Sequence, residues 1–131
     1  MRPGADHYGE LQAWDPATGK KVWQYNFPKS QLFGSVTVTA GDLVLVGGTN
    51  DRMFRAFDAK TGDLLWEQKT NSGIMGMPIA YEVDGTEYIA VQSGWGVDAQ
   101  RIQDALATGN DIGVESNVPQ GGVVWVFAVK K

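Results

Sequence analysis

Two aspartates, Asp15 and Asp58, are the first side chains in this sequence that could act as a carboxylate pair. Each stands in the same local context. Ala13-Trp14-Asp15-Pro16-Ala17-Thr18-Gly19-Lys20-Lys21-Val22-Trp23 and Ala56-Phe57-Asp58-Ala59-Lys60-Thr61-Gly62-Asp63-Leu64-Leu65-Trp66 share Ala, Asp, Thr, Gly and Trp in register. An Asp before Thr-Gly accepts backbone N–H groups of the turn that follows, so turn chemistry accounts for both carboxylates without catalysis. Asp104, Asp111 and Glu115 lack the alternating acidic positions of a calcium loop and read as a solvated stretch. His7 stands alone near the start, with no sequence partner that would suggest a Ser-His-Asp arrangement. Trp95 differs from all of these. It lies between Gly94 and Gly96, outside the repeated segment, where backbone can approach a ligand closely.

The elements that position these residues follow from the repeat. Its two copies begin 43 residues apart, at Ala13 and Ala56, and a period of about 40–50 residues suits a four-stranded propeller blade. In each copy a strand ends at Ala-aromatic-Asp, Gly supplies a positive φ in the turn, and an outer strand carries a Trp. Trp23 and Trp66 are expected to wedge between neighbouring blades, each burying on the order of 200 Å². Strands are predicted over Gly9–Asp15, Lys21–Asn26, Ser35–Thr39, Leu43–Gly47, Met53–Asp58, Leu64–Lys69, Pro78–Val83, Thr86–Gln92 and Gly122–Val129. Asp84-Gly85 is a strong hairpin signal, and Ala40-Gly41-Asp42 marks another. Trp125, among apolar residues of the last strand, reads as core.

The resulting order is the end of one blade (1–29), one full blade (30–70) and three strands of another (71–131). An insertion of about 28 residues spans 93–120, far beyond hairpin loop lengths. Within it Asp98–Ala107 is predicted helical, with Asp98 as N-cap, Ile102, Ala105 and Leu106 on one face, and Gly109 as the stop. The fold class is therefore all-β: propeller blades with one short helix in a long loop. At least three repeats are usually needed to cover blade faces, so the chain is expected to be part of a larger ring.

Composition agrees. Seventeen Gly with five Trp suggest many turns and heavy packing anchors, and 43% hydrophobic with 20% charged residues suits a folded chain. The net charge is −4 with no Lys/Arg cluster, which argues against nucleic acid. There is no Cys, and no apolar run is long enough to span a membrane as a helix. The start lacks the apolar stretch of a signal peptide.

The paired A-x-D-x-x-T-G-x-x-x-W motif resembles the tryptophan-docking motif of the pyrroloquinoline quinone (PQQ) dependent alcohol dehydrogenases. Gly9-Glu10-Leu11-Gln12-Ala13, Thr39-Ala40-Gly41-Asp42-Leu43-Val44, Ser72-Gly73-Ile74, Tyr88-Ile89-Ala90-Val91 and Gly121-Gly122-Val123-Val124-Trp125-Val126-Phe127 are similar to the methanol/ethanol branch, in the order of its C-terminal part. The resemblance implies the C-terminal blades of an eight-bladed periplasmic propeller. It also implies PQQ beside Ca²⁺ or a lanthanide, hydride transfer from a primary alcohol, and electrons leaving to a c-type cytochrome. The family's metal-binding carboxylates, catalytic Asp, vicinal cysteines and stacking Trp have no counterpart here, so the remaining N-terminal propeller portion would supply them. The chain alone is not expected to oxidise alcohols.

Three residues carry over as cofactor-binding: Trp95 with Gly94, matching a Trp after the penultimate hairpin, and Phe33. Phe33 stands where the family often has a Trp in a W-G-G context, here followed by Gly34 and Ser35; this keeps an aromatic surface and loses an N–H donor. The spacing around Trp95 departs from the methanol-oxidising pattern, which implies a different alcohol. A non-catalytic propeller scaffold for envelope protein assembly is the alternative left open by the repeat.

Overall fold

The computed structural model describes residues 4–108 and 117–130. Three antiparallel sheets follow one another along the chain. The first pairs β1 (Gly9–Asp15) with β2 (Lys20–Phe27). The second has four strands in sequence order, β3 (Val36–Val38), β4 (Leu43–Val46), β5 (Met53–Asp58) and β6 (Leu64–Lys69). The third orders β7 (Ile79–Val83), β8 (Thr86–Ser93) and β9 (Val123–Ala128). Every predicted strand is present, with ends moved by a residue or so where pairing begins or stops. The strand predicted from Pro78 starts at Ile79, since Pro lacks a ladder donor.

The repeat is reproduced in its irregularities. β1–β2 slips register between Ala13 and Trp14, and β5–β6 between Ala56 and Phe57. Gly19 and Gly62 adopt φ values of 66° and 78°, the left-handed conformation that the turn needs. Asp15 accepts the Ala17 N–H at 2.9 Å and the Thr18 hydroxyl at 2.9 Å. Asp58 accepts the Lys60 and Thr61 N–H groups at 2.8 and 2.9 Å. These bonds, Ala17 and Thr18 at one site, Thr61 and Lys60 at the other, hold both carboxyls below their ordinary pKa. The β7–β8 turn places Asp84 and Gly85 at φ 50° and 77°, as a type I′ hairpin requires.

The central strands β4 and β5 of the middle sheet are buried on both faces, which explains the uninterrupted apolar run of β4. Val44 and Val46 face Leu11, Phe27 and Phe57 toward the first sheet. Leu45 faces the opposite way, with Phe54, Ala56, Ile74, Ile89 and Val91 toward the third. Trp23 reaches across one junction: its indole N–H donates to the Ala59 carbonyl at 2.9 Å, and a Cβ on Gly62 would lie 2.6 Å from its ring. Trp66 meets Phe127 of the third sheet edge-on at 5.0 Å and Phe54 of its own sheet at 6.1 Å. Trp125 is half-buried against the core, as predicted, and donates to Asn71 Oδ1 at 2.8 Å.

The second and third sheets differ between their second and third strands. Six residues, 47–52, join β4 to β5. The equivalent connection from β8 to β9 holds helix α1 (Val97–Thr108). Two details of the predicted helix are corrected. Gly96, not Asp98, caps it: the Gly96 carbonyl accepts the Gln100 N–H at 3.1 Å, and Asp98 sits in the first turn, where a carboxylate favours the helix dipole. The buried face is Ala99 and Gln103, whereas Ile102 is 41% exposed and Ala105 is exposed. Tertiary contact with Trp95 and Ser30 outweighs the apolar count that favoured Ile102. The predicted stop at Gly109, with Asp111 and Glu115, lies outside the described residues.

Candidate functional site

The segment that carries Trp95 is fastened at its entrance and exit by the loop before β7. Gly94 donates its N–H to the Gly73 carbonyl at 2.8 Å, and Ile74 and Gly94 form a parallel bridge. Ser93 Oγ lies 2.9 Å from Thr70 Oγ1 and accepts the Ser72 N–H at 3.1 Å, all three residues being buried. At the exit, the Ser72 hydroxyl donates to the Pro119 carbonyl. What approaches Gly94 is the chain's own backbone: a Cβ there would stand 2.5 Å from the Gly121 carbonyl oxygen.

This frame clamps the Trp95 ring. A Cβ on Gly73 would fall 1.7 Å from Trp95 Cε3, so the indole lies directly on that glycine. Phe33 meets it edge-to-face at 5.6 Å and 88°, and Ala99 and Val118 complete the cluster. The structure thus brings together two of the three residues expected from sequence, Trp95 and Phe33, which stand 62 positions apart. Trp95 is only 4% exposed, yet among the described residues its Nε1 has no hydrogen-bond partner. An unsatisfied buried donor costs about 1–3 kcal/mol, so such groups are few in native proteins and call for an acceptor from beyond the described residues.

One buried polar residue beside this cluster escapes the sequence reading. Gln103 on α1 is fully buried, donates from Nε2 to Ser30 Oγ at 2.9 Å, and leaves its Oε1 without a partner among the described residues. A glutamine on an amphipathic helix reads as solvent-facing, and nothing in the local pattern marks it otherwise.

Other polar groups are already engaged. Arg55, buried at 8% exposure, bonds Asp51, Glu67 and Thr49 and lies 5.4 Å above the Phe27 ring. The adjoining cavity of about 320 Å³, lined by Tyr25, Phe27, Lys29 and Asn50, therefore opens onto a neutralised guanidinium. His7 is not alone, as its sequence surroundings suggested. Its ring nitrogens meet Glu10 and Asp6, which raise its pKa in that order of effect and have their own lowered in return. Among the described residues no group of three or more His, Cys, Asp or Glu could hold a metal ion, and no helix is long and apolar enough to cross a membrane.

Residues 29–89 match the family described as glucose/ethanol/alcohol dehydrogenase, β-propeller domain, of the PQQ group. The quinoprotein ethanol dehydrogenase of Pseudomonas putida is 44% identical over 124 residues, covering 95% of this chain and 19% of that protein. The quinoprotein alcohol dehydrogenase PedH of Pseudomonas putida strain KT2440 is 40% identical over 135 residues, covering 96% of this chain and 20% of that protein. The chain belongs to the PQQ-dependent alcohol dehydrogenase family. A solved europium-containing methanol dehydrogenase superposes with a TM-score of 0.76 at 34% identity, covering 96% of this chain and 24% of the other. The chain thus spans about a fifth of the length of these curated relatives. Its three sheets are blades of the family's propeller, and Trp95 sits on the insertion within the last of them.

Proposed function

We propose that this chain is the C-terminal part of a periplasmic PQQ-dependent alcohol dehydrogenase and that it forms one wall of the cofactor site. Residues 1–29 end one blade, 30–70 make a full blade, and 71–131 make the last, with the insertion at 93–120. The observation that carries the reading is the buried Nε1 of Trp95, unpartnered among the described residues. PQQ is rich in carbonyl and carboxylate oxygens, and this indole N–H is a fixed donor for which the described residues offer no acceptor. When bound, PQQ would supply the hydride acceptor for oxidation of a primary alcohol to an aldehyde. A c-type cytochrome would take the electrons, and Ca²⁺ or a lanthanide would be held mainly by the N-terminal portion of the propeller.

This chain's own residues bind and orient. Trp95 presents its N–H from a ring that Gly73 and Phe33 prevent from turning. Phe33 adds an apolar edge that excludes water, and Gly94 lets the Gly121 backbone close over the start of the insertion. The Trp23 and Trp66 anchors belong to the tryptophan-docking repeat and would serve a non-catalytic scaffold equally well. The Trp95 donor, away from those anchors, is what favours the cofactor reading over the scaffold.

Native mass measurement with an absorption scan on the same sample tests the reading. Co-purification with the rest of the propeller and a quinone chromophore is the expected result; a lone chain without chromophore overturns it. In the full-length protein, Trp95→Phe is expected to weaken PQQ binding about 5- to 20-fold, the loss of one buried hydrogen bond. Unchanged binding would remove Trp95 from the site.

A further inference from the structure

Ser30 decides how the amide of Gln103 is oriented. Its single hydroxyl proton goes to the Gln31 carbonyl at 2.7 Å, and its oxygen accepts the Asn50 N–H at 2.9 Å. It can therefore only accept from Gln103, which must offer its NH₂ and direct Oε1 away from Ser30. That oxygen is buried in a residue with no exposed surface and receives no hydrogen bond from the described residues. Placement adds to this. Ala99 and Gln103 form the buried face of α1, and Trp95, just before the helix, clusters with Ala99. Trp95 packs on Phe33 and Gln103 on Ser30, two residues of a single stretch of chain. An orphaned donor and an orphaned acceptor thus stand on the same insertion, over the same loop.

We propose that Gln103 is a second ligand-contacting residue of the Trp95 site, its Oε1 accepting a hydrogen bond from an O–H or N–H of a bound small molecule. The inference rests on the cofactor reading above. Two sources carry such a donor, the N–H of PQQ and the hydroxyl of the alcohol. The Ser30 bond holds the helix in place, and the free oxygen does the recognising. No feature of the repeat calls for a buried amide here, and a residue serving only to seat α1 would need no unfilled acceptor.

The test uses the full-length protein, with the PQQ dissociation constant read from fluorescence titration of the apoprotein and KM read with ethanol. Gln103→Met, which keeps the length of the side chain, is expected to raise one constant about fivefold. A raised PQQ constant assigns the contact to the cofactor; a raised KM with unchanged PQQ binding assigns it to the alcohol. Ser30→Ala removes the anchor and frees the amide to turn, so it should lower Tm and raise the same constant as Gln103→Met. The proposal is overturned if Gln103→Met leaves both constants unmoved, or if the two variants raise different constants. If Gln103→Met fails to fold, the ¹⁵N side-chain amide resonance of Gln103 in wild-type protein replaces it: a shift on adding PQQ or ethanol supports the contact, and no shift with either overturns it. Weaker PQQ binding in Trp95→Phe beside an inert Gln103→Met defeats this inference alone. A wild-type protein that binds no PQQ defeats the cofactor reading and this inference together.

Discussion

Asp51 is a residue where opposing effects can be weighed. Burial pushes its carboxyl pKa up, but Arg55, the Thr49 hydroxyl and the Met53 N–H outweigh that and hold it below 3.8. A carboxylate with a depressed folded-state pKa stabilises the fold above its unfolded pKa, and that contribution is lost as pH falls through the folded value. The side chain is 43% exposed, and Glu67 also pairs with Arg55, so the contribution is nearer a surface pair than a buried one, about 1 kcal/mol. Thermal unfolding of the full-length protein should therefore show Asp51→Asn less stable than wild type at pH 7, with the gap narrowing as pH falls through and below the ordinary carboxylate range. A gap that persists unchanged at low pH would assign the effect to packing rather than charge.

Between elements, the two repeat tryptophans are not equivalent despite matching in sequence. Trp23 donates to Ala59 and rests on Gly62, joining the first sheet to the turn of the second. Trp66 stays 40% exposed and meets the third sheet edge-on at Phe127. The turn that Trp23 engages has no described counterpart beyond β9, where Ala128-Val129-Lys130 replaces Ala-aromatic-Asp. Trp23→Phe is expected to cost about 2 kcal/mol, from a lost hydrogen bond and lost ring contact. Trp66→Phe should cost less, about 1 kcal/mol, because a phenyl ring keeps the edge contact. Urea unfolding of both variants gives the order; a reversed order would mean that the Ala59 bond contributes little.

At the scale of the whole molecule, surface area is the informative quantity. The chain exposes 7739 Å², against about 6,800 Å² for a globular monomer of its mass. The excess fits its exposed apolar side chains, among them Leu65, Met77, Ile79, Val124 and Val126. Together with Leu43, Phe54 and Phe127, two of them, Leu65 and Val126, line an apolar groove of about 600 Å³ between the second and third sheets. The isolated 131-residue chain should accordingly bind a hydrophobic dye and self-associate in sedimentation at micromolar concentration. The full-length protein should do neither, and a monodisperse, dye-silent isolated chain would show that these faces need no cover.

Much of the fold was legible in the sequence because its signals are local. Asp-Thr-Gly sets the motif turns, Asp84-Gly85 sets a hairpin, and a 43-residue offset sets the repeat; each depends on residues close together or on self-similarity. Trp95 stood out for the same reason, as an aromatic between glycines outside the repeat. The face of α1 and the partners of His7 were not legible. For α1, apolar periodicity favours Ile102, while the real neighbours, Trp95 and Ser30, arrive from 8 residues before and 73 residues before Gln103. A buried amide is stable only where a distant hydroxyl meets it, and no local pattern records that meeting. By itself, then, the sequence determined the strands, the turns, the repeat and the family. Only the tertiary structure decided which polar atoms are buried without a partner, because burial and hydrogen-bond satisfaction depend on what the rest of the chain brings alongside.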